Sequence, residues 1–279
     1  MIDRRQFTLA ATAAMLGTHR VSRTAQAQPS LPPNSPRRGL DPLFDPTAYP
    51  SEWGGDEQVV MLAYPGMTLL DLVGPQHMFA AMLGATVRIA AKTLDPIRSD
   101  LGMTIQPDVT FADAHLEPDV IFTPGSIAGT FAAMEDTETV DFLAARGEHA
   151  RYVTSVCTGA MLLGQAGLID GYRVSTHWLA KPAMDAFGAT ATDERVTKDR
   201  NRLTGGGVTA GIDFGLTMVE ELRGTDYAQS VQLMAEYAPA PPLDAGTPDT
   251  APPAVRDRMA AAFPGFEEHA RAVASNRRQ

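Results

Sequence analysis

Between residues 58 and 237, short apolar runs alternate with longer stretches in which apolar residues recur every three to four positions. The runs 58–64 (QVVMLAY), 85–91 (ATVRIAA), 119–125 (DVIFTPG) and 152–156 (YVTSV) predict strands. Several are almost continuously apolar, which suits a sheet covered on both faces. The stretches 69–83, 128–147, 158–169 and 211–224 carry helical spacing and close near glycine or other small residues. Such alternation predicts one doubly wound α/β domain, a parallel sheet sandwiched by helices. Segment 104–111 (TIQPDVTF) and the pair 195–200 (RVTKDR) and 201–207 (NRLTGGG) predict side strands or a small hairpin.

The flanks break this pattern. Residues 28–56 are rich in Pro, Ser, Asp and Gly and predict a linker, while 246–279 read as a Pro-rich tail with a short helix from about Val255. The domain is therefore expected over 57–245. Residues 1–27 carry Arg4-Arg5, an apolar segment from Phe7 to Leu16 and the small-residue site Ala25-Gln26-Ala27. That order predicts a twin-arginine export signal and a periplasmic address, and the apolar segment is too short to span a bilayer.

Hydrophobic residues make up 44% and charged residues 20% of the 279 positions, which is ordinary for a globular protein with a sizeable core. The net charge is −10, and residues 1–27 hold Arg4, Arg5, Arg20 and Arg23 against the single acid Asp3, so the remainder is more acidic still. Nucleic acid and anionic membranes are poor partners for such a surface; a small-molecule substrate is expected. His77, His115, His149 and His177 show no paired metal spacing, and one cysteine makes no zinc signature, so no metal is expected. The segment TGGGVTAG, 204–211, lacks the Gly-Lys-Ser/Thr ending of a phosphate loop.

The one cysteine, Cys157, lies in SVCTGA, 155–160, between a predicted strand and a predicted helix. In a parallel sheet, ligands gather outside the carboxyl ends of the strands, and a sharp strand-to-helix turn is the geometry of a nucleophile elbow. The following helix N-terminus is expected to favour the thiolate. A buried cysteine serving as a small hydrophobe is an equally open reading of this stretch.

Taken together, SVCTGA, YPGMTLLDLVGP at 64–75, FTPGS at 122–126, THW at 176–178 and TGGGVTAGIDFGL at 204–216 resemble the ThiJ/PfpI group of the class I glutamine amidotransferase-like superfamily, and within it the isonitrile hydratases. The resemblance spans roughly residues 58–245 and implies a flavodoxin-like sandwich, a homodimer and no cofactor. It places an acid from the first strand–helix connection beside the elbow cysteine, and Asp71 occupies that position. Two neighbouring ionised groups would repel, so Asp71 and Cys157 are expected to share one proton, held by Asp71 and donated to sulfur.

Hydrolytic and amidotransferase-like members carry His directly after the nucleophile, where this chain has Thr158. A threonine hydroxyl cannot protonate an amine leaving group at neutral pH. Isonitrile hydration expels no amine, so the departure favours hydration, and the resemblance implies a catalytic part for Thr158. It also implies that His177 lies near the cysteine, as a base or as a hydrogen-bonded filler. Gly125 and Ser126, at the end of a strand, are expected to offer backbone N–H groups to the substrate, or to form a plain turn. The alternatives kept open are a non-catalytic ligand-binding module of the same fold and a cysteine-dependent hydrolase or glyoxalase-like enzyme.

Overall fold

The computed structural model describes residues 45–276; the expected export signal and most of the expected linker lie outside them. The chain runs β1 (Gln58–Leu62), α1 (Leu69–Phe79), β2 (Thr86–Ala91), β3 (Ile97–Arg98), β4 (Thr104–Ile105), β5 (Val109–Thr110), β6 (Val120–Thr123), α2 (Ala128–Glu135), α3 (Thr137–His149), β7 (Tyr152–Val156), α4 (Gly159–Gln165) and β8 (Arg173–Val174). A 3-10 segment, Lys181–Phe187, precedes β9 (Thr190–Ala191), β10 (Val196–Asp199), β11 (Arg202–Gly205), α5 (Ala210–Arg223), α6 (Thr225–Met234), α7 (Pro253–Ala261) and α8 (Phe266–Ser275).

The main sheet has the order β10-β11-β7-β6-β1-β2-β5, and every neighbouring pair is parallel except β10 with β11. The doubly wound fold is thus present. The expected hairpin 195–207 lies inside it, with β11 paired parallel to β7. From β1 the chain builds outward through β2 and β5, then returns to place β6 and β7 on the other side. The carboxyl ends of β1, β6 and β7 therefore meet at a topological switch point, where ligand sites of this architecture form.

β6 and β7 are buried at every position, which explains why their sequences show no alternation. Helices α1 and α5 pack together on one face, while α2, α3, α4 and α8 form the other layer. Phe122 of β6 meets Phe79 of α1 and Phe214 of α5, with ring centroids 6.3 and 5.4 Å apart. Gly211 and Gly215 of α5 lie against Pro75 and Met78 of α1; a Cβ at Gly215 would sit 2.9 Å from the Met78 side chain. The glycines of TAGIDFG thus serve helix contact.

Three sequence expectations are refined. The helical stretch 128–147 is two helices, because Asp136 takes an extended conformation and its carboxylate pairs with Lys92 at 2.5 Å and accepts from the Thr139 hydroxyl at 2.6 Å. Of the segment 246–279, the described residues, 246–276, hold two helices, and α8 buries Phe266, Ala270, Val273 and Ala274, with Phe266 against the ring of Phe131 at 5.2 Å. The described end of the linker is anchored as well. Trp53 packs on Tyr227 at 4.8 Å, and the buried Arg223 guanidinium pairs with Glu57 and donates to the carbonyl of Trp53.

Candidate active site

Cys157 follows β7 directly and takes a φ of +56°, a left-handed conformation that costs a non-glycine residue about 1–2 kcal/mol. The strained turn is held from both sides. The Cys157 N–H donates to the carbonyls of Gly206 at 2.7 Å and Gly205 at 3.2 Å, and its carbonyl accepts from the Thr176 hydroxyl at 2.8 Å. Only glycine fits the next position but one, since a Cβ at Gly159 would lie 2.4 Å from the carbonyl oxygen of Thr123. The sharp strand-to-helix elbow expected from SVCTGA is present.

Asp71, in the first turn of α1, is fully buried. The flanking Leu70 and Val73 are about two-fifths exposed while Leu72 is fully buried, so the carboxyl points inward, toward the loop after β6. The Gly125 N–H donates to Asp71 Oδ2 at 2.9 Å, while Oδ1 receives no N–H or O–H hydrogen bond. The Asp71 carboxyl and the Cys157 thiol influence each other electrostatically, each changing the other's pKa. Burial raises the Asp71 pKa to about 7 against the lowering effect of the Gly125 N–H and the thiol, and the nearby Asp100 carboxylate raises it further.

For Cys157 the expectation of an activated thiolate is corrected. Burial pushes the thiol pKa well above its ordinary value, and the Asp71 charge adds to the rise; the backbone N–H and hydroxyl of Thr158 oppose it. These raising effects outweigh the helix N-terminus. The thiol therefore keeps its proton at neutral pH, while the Asp71 carboxyl, with a pKa of about 7, is divided between its two forms.

Gly125 and Ser126 are also corrected. The Gly125 N–H is held by Asp71, and the Ser126 N–H donates to Thr158 Oγ1 at 2.8 Å, so neither faces a substrate. Their role is to position the acid. Ser126 Oγ donates to the Gly66 carbonyl at 2.6 Å, tying the loop after β6 to the loop after β1.

Thr158 follows the sulfur in the elbow, and its hydroxyl donates to the Ser126 carbonyl and meets Thr130 Oγ1 at 2.9 Å. His177 is half-buried beside Gly207; burial lowers its pKa to about 4, and its Nδ1 accepts from the Leu179 N–H at 3.4 Å. So low a pKa makes the imidazole a weak base, which suits the hydrogen-bonded filler better than a catalytic base. The residue of THW that touches the elbow is Thr176. Sequence reasoning did not single out Thr176, Thr130 or Tyr64; polar residues on otherwise buried faces were the available signal. Among the described residues, no group of three His, Cys, Asp or Glu side chains is placed to hold a metal ion, and no helix is long and apolar enough to cross a membrane.

An elbow cysteine after one strand, facing an acid from the first strand–helix turn, is the arrangement that the sequence motifs imply, and the DJ-1/PfpI family model matches residues 57–221. The chain belongs to the DJ-1/PfpI family. It is 48% identical to the isonitrile hydratase of Pseudomonas putida over 200 residues, covering 72% of this chain and 87% of that protein. A ThiJ/PfpI family protein from Pseudomonas syringae superposes with a TM-score of 0.80 at 49% identity, over 86% of this chain and 99% of that one. The Parkinson disease protein 7 homologue of Danio rerio is 30% identical over 182 residues, 64% of this chain and 95% of that protein. The family is therefore shared by proteins of differing description.

Proposed function

We propose that the protein hydrates isonitriles, R–N≡C, to N-substituted formamides. The observation that carries this reading is the Asp71 carboxyl, buried beside the thiol of an elbow cysteine, in a chain 48% identical to an isonitrile hydratase.

In the reactive form of the pair, sulfur holds the proton and Asp71 is the carboxylate that accepts it. As Cys157 attacks the terminal carbon, Asp71 takes the thiol proton and delivers it to that same carbon, giving the thioimidate R–N=CH–S–Cys157. Water adds across the C=N bond, leaving R–NH–CH(OH)–S–Cys157. Collapse of that adduct expels sulfur, which recovers its proton from the hydroxyl by way of Asp71, and releases R–NH–CHO. No amine leaves, so the absence of histidine after the cysteine is no handicap. Cys157 is only 3% exposed, which favours a substrate that presents a slender, linear end over a planar amide.

The reading includes export by the twin-arginine signal of residues 1–27, with cleavage after Ala27, and assembly as a homodimer. N-terminal sequencing of the exported protein and light scattering test these two points. The function itself is tested by incubating the purified protein with cyclohexyl isocyanide. Formamide production lost in both Cys157→Ala and Asp71→Asn supports hydration; turnover of amides or methylglyoxal alone supports the hydrolase or glyoxalase-like alternative.

A further inference from the structure

Tyr64, at the start of the turn after β1, and Thr130, in α2, are almost wholly buried and lie beside Thr158 in a line of hydroxyls. The Tyr64 hydroxyl donates to the Pro124 carbonyl at 2.9 Å and meets Thr130 Oγ1 at 3.1 Å. Thr130 Oγ1 in turn meets Thr158 Oγ1 at 2.9 Å, and Thr158 reaches the Ser126 carbonyl. The line therefore begins on the carbonyl of Pro124 and ends on the carbonyl of Ser126. Between those two residues sits Gly125, whose N–H holds Asp71 Oδ2.

The hydrogens of this line are constrained. Tyr64, Thr130 and Thr158 have one hydroxyl hydrogen each. With Tyr64 giving its hydrogen to Pro124 and Thr158 giving its own to Ser126, the one remaining hydrogen, on Thr130, fixes either Thr158 or Tyr64. Thr158 already accepts the Ser126 N–H. Thr130 thus donates to one of these neighbours and packs against the other, and it touches neither Cys157 nor Asp71 by any hydrogen bond of its own.

We infer that Thr130, with Tyr64, is a positioning residue for the Asp71–Cys157 pair: the hydroxyl line clamps Pro124–Gly125–Ser126 at both ends and so holds the Gly125 N–H on the Asp71 carboxyl. This rests on the proposed role of the pair, yet it concerns where the acid is held and is tested apart from turnover. When the clamp is lost, the N–H that favours the carboxylate drifts away, and Asp71 keeps its proton to higher pH.

The test uses Thr130→Val, which keeps the shape and removes the hydroxyl, Thr130→Ser, which restores it, and Tyr64→Phe, which removes only the terminal hydroxyl and guards against failure of the valine variant to fold. The Asp71 carboxyl is titrated by carbon NMR in each, with Asp71→Asn supplying the assignment. The expected result is a midpoint above the wild-type one in Thr130→Val and, less so, in Tyr64→Phe, with Thr130→Ser returning it to wild type. Alongside it, kcat for isonitrile hydration falls on the order of tenfold in Thr130→Val while KM stays within about twofold, as expected for a misplaced acid rather than weakened binding. Unchanged Asp71 midpoints in folded Thr130→Val and Tyr64→Phe overturn the inference, whatever the activity. Shifted midpoints in a protein that hydrates no isonitrile uphold the clamp and refute the hydratase reading instead.

Discussion

Replacing Gly125 with alanine adds one methyl group where the structure has no space for it. The new Cβ would lie 2.5 Å from the Thr158 nitrogen, 2.7 Å from Thr158 Oγ1 and 2.9 Å from Cys157 Cβ. Ordinary contact begins at 3.4 Å, so the closest approach must open by about 0.9 Å, the difference between 3.4 and 2.5 Å. The nearest atom is backbone and the others belong to the elbow, so no flexible side chain can swing aside. A shift of that size carries the Gly125 N–H, now 2.9 Å from Asp71 Oδ2, beyond hydrogen-bonding distance. Overpacking of this kind costs about 1–3 kcal/mol, or a Tm lower by roughly 2–4 °C for each kcal/mol in a chain of this length. Misplacement of a catalytic group by about 1 Å costs on the order of a hundredfold in rate. Gly125→Ala is therefore expected to remain folded, to lose about two orders of magnitude in kcat, and to shift the rising limb of its rate–pH profile above the wild-type midpoint near 7, because Asp71 has lost the N–H that holds it down. Formamide formation followed from pH 5 to 9, with melting measured in parallel, checks all three. A folded variant with wild-type kcat and an unmoved limb would refute the claim that this loop sets the acid.

The raised Asp71 pKa makes stability depend on pH. A carboxyl that titrates near 7 when folded and near 3.8 when unfolded contributes stability that is fully present below 3.8 and lost as pH rises through about 7. Asp71→Asn, which cannot ionise, is expected to match wild type near pH 4 and to exceed it by up to about 4 kcal/mol at pH 8, read as a Tm difference that grows across that window. Iodoacetamide should label Cys157 slowly at neutral pH, with labelling accelerating only above the ordinary thiol range, and Asp71→Asn should label faster at any given pH because the repelling charge is gone; fast labelling of wild type at pH 7 would contradict the protonated thiol. His177→Asn should leave the rate–pH profile above pH 5 unchanged in shape, since the imidazole is already neutral there, and a lost limb near neutrality would restore His177 as a base.

The strands were legible because burial on both faces leaves an unbroken apolar run, and β7 has the same ends in sequence and structure. The elbow was legible from the small residues around Cys157, and its acid from the family resemblance that placed Asp71 there. The charge state was not. A helix N-terminus is visible locally, whereas the burial and the Asp71 carboxylate that outweigh it arrive from distant parts of the chain. The loop after β6 fails for the same reason: FTPGS announces free N–H groups, and only the fold shows them turned onto Asp71 and Thr158. The break at Asp136 was hidden because apolar spacing continues across it while Lys92, from β2's end, fixes the carboxylate. In α8 the signal was present, since Phe266, Ala270, Val273 and Ala274 follow helical spacing, but Pro-rich surroundings obscured it.

The most direct test is intact-protein mass spectrometry of enzyme quenched with acid during steady turnover of a slowly processed isonitrile. A transient adduct of the isonitrile's full mass, mapped to the peptide containing Cys157 and absent from Asp71→Asn, is the predicted result. Formamide accumulating at full rate while Cys157 stays unmodified, or accumulating equally in Cys157→Ala, would contradict the account.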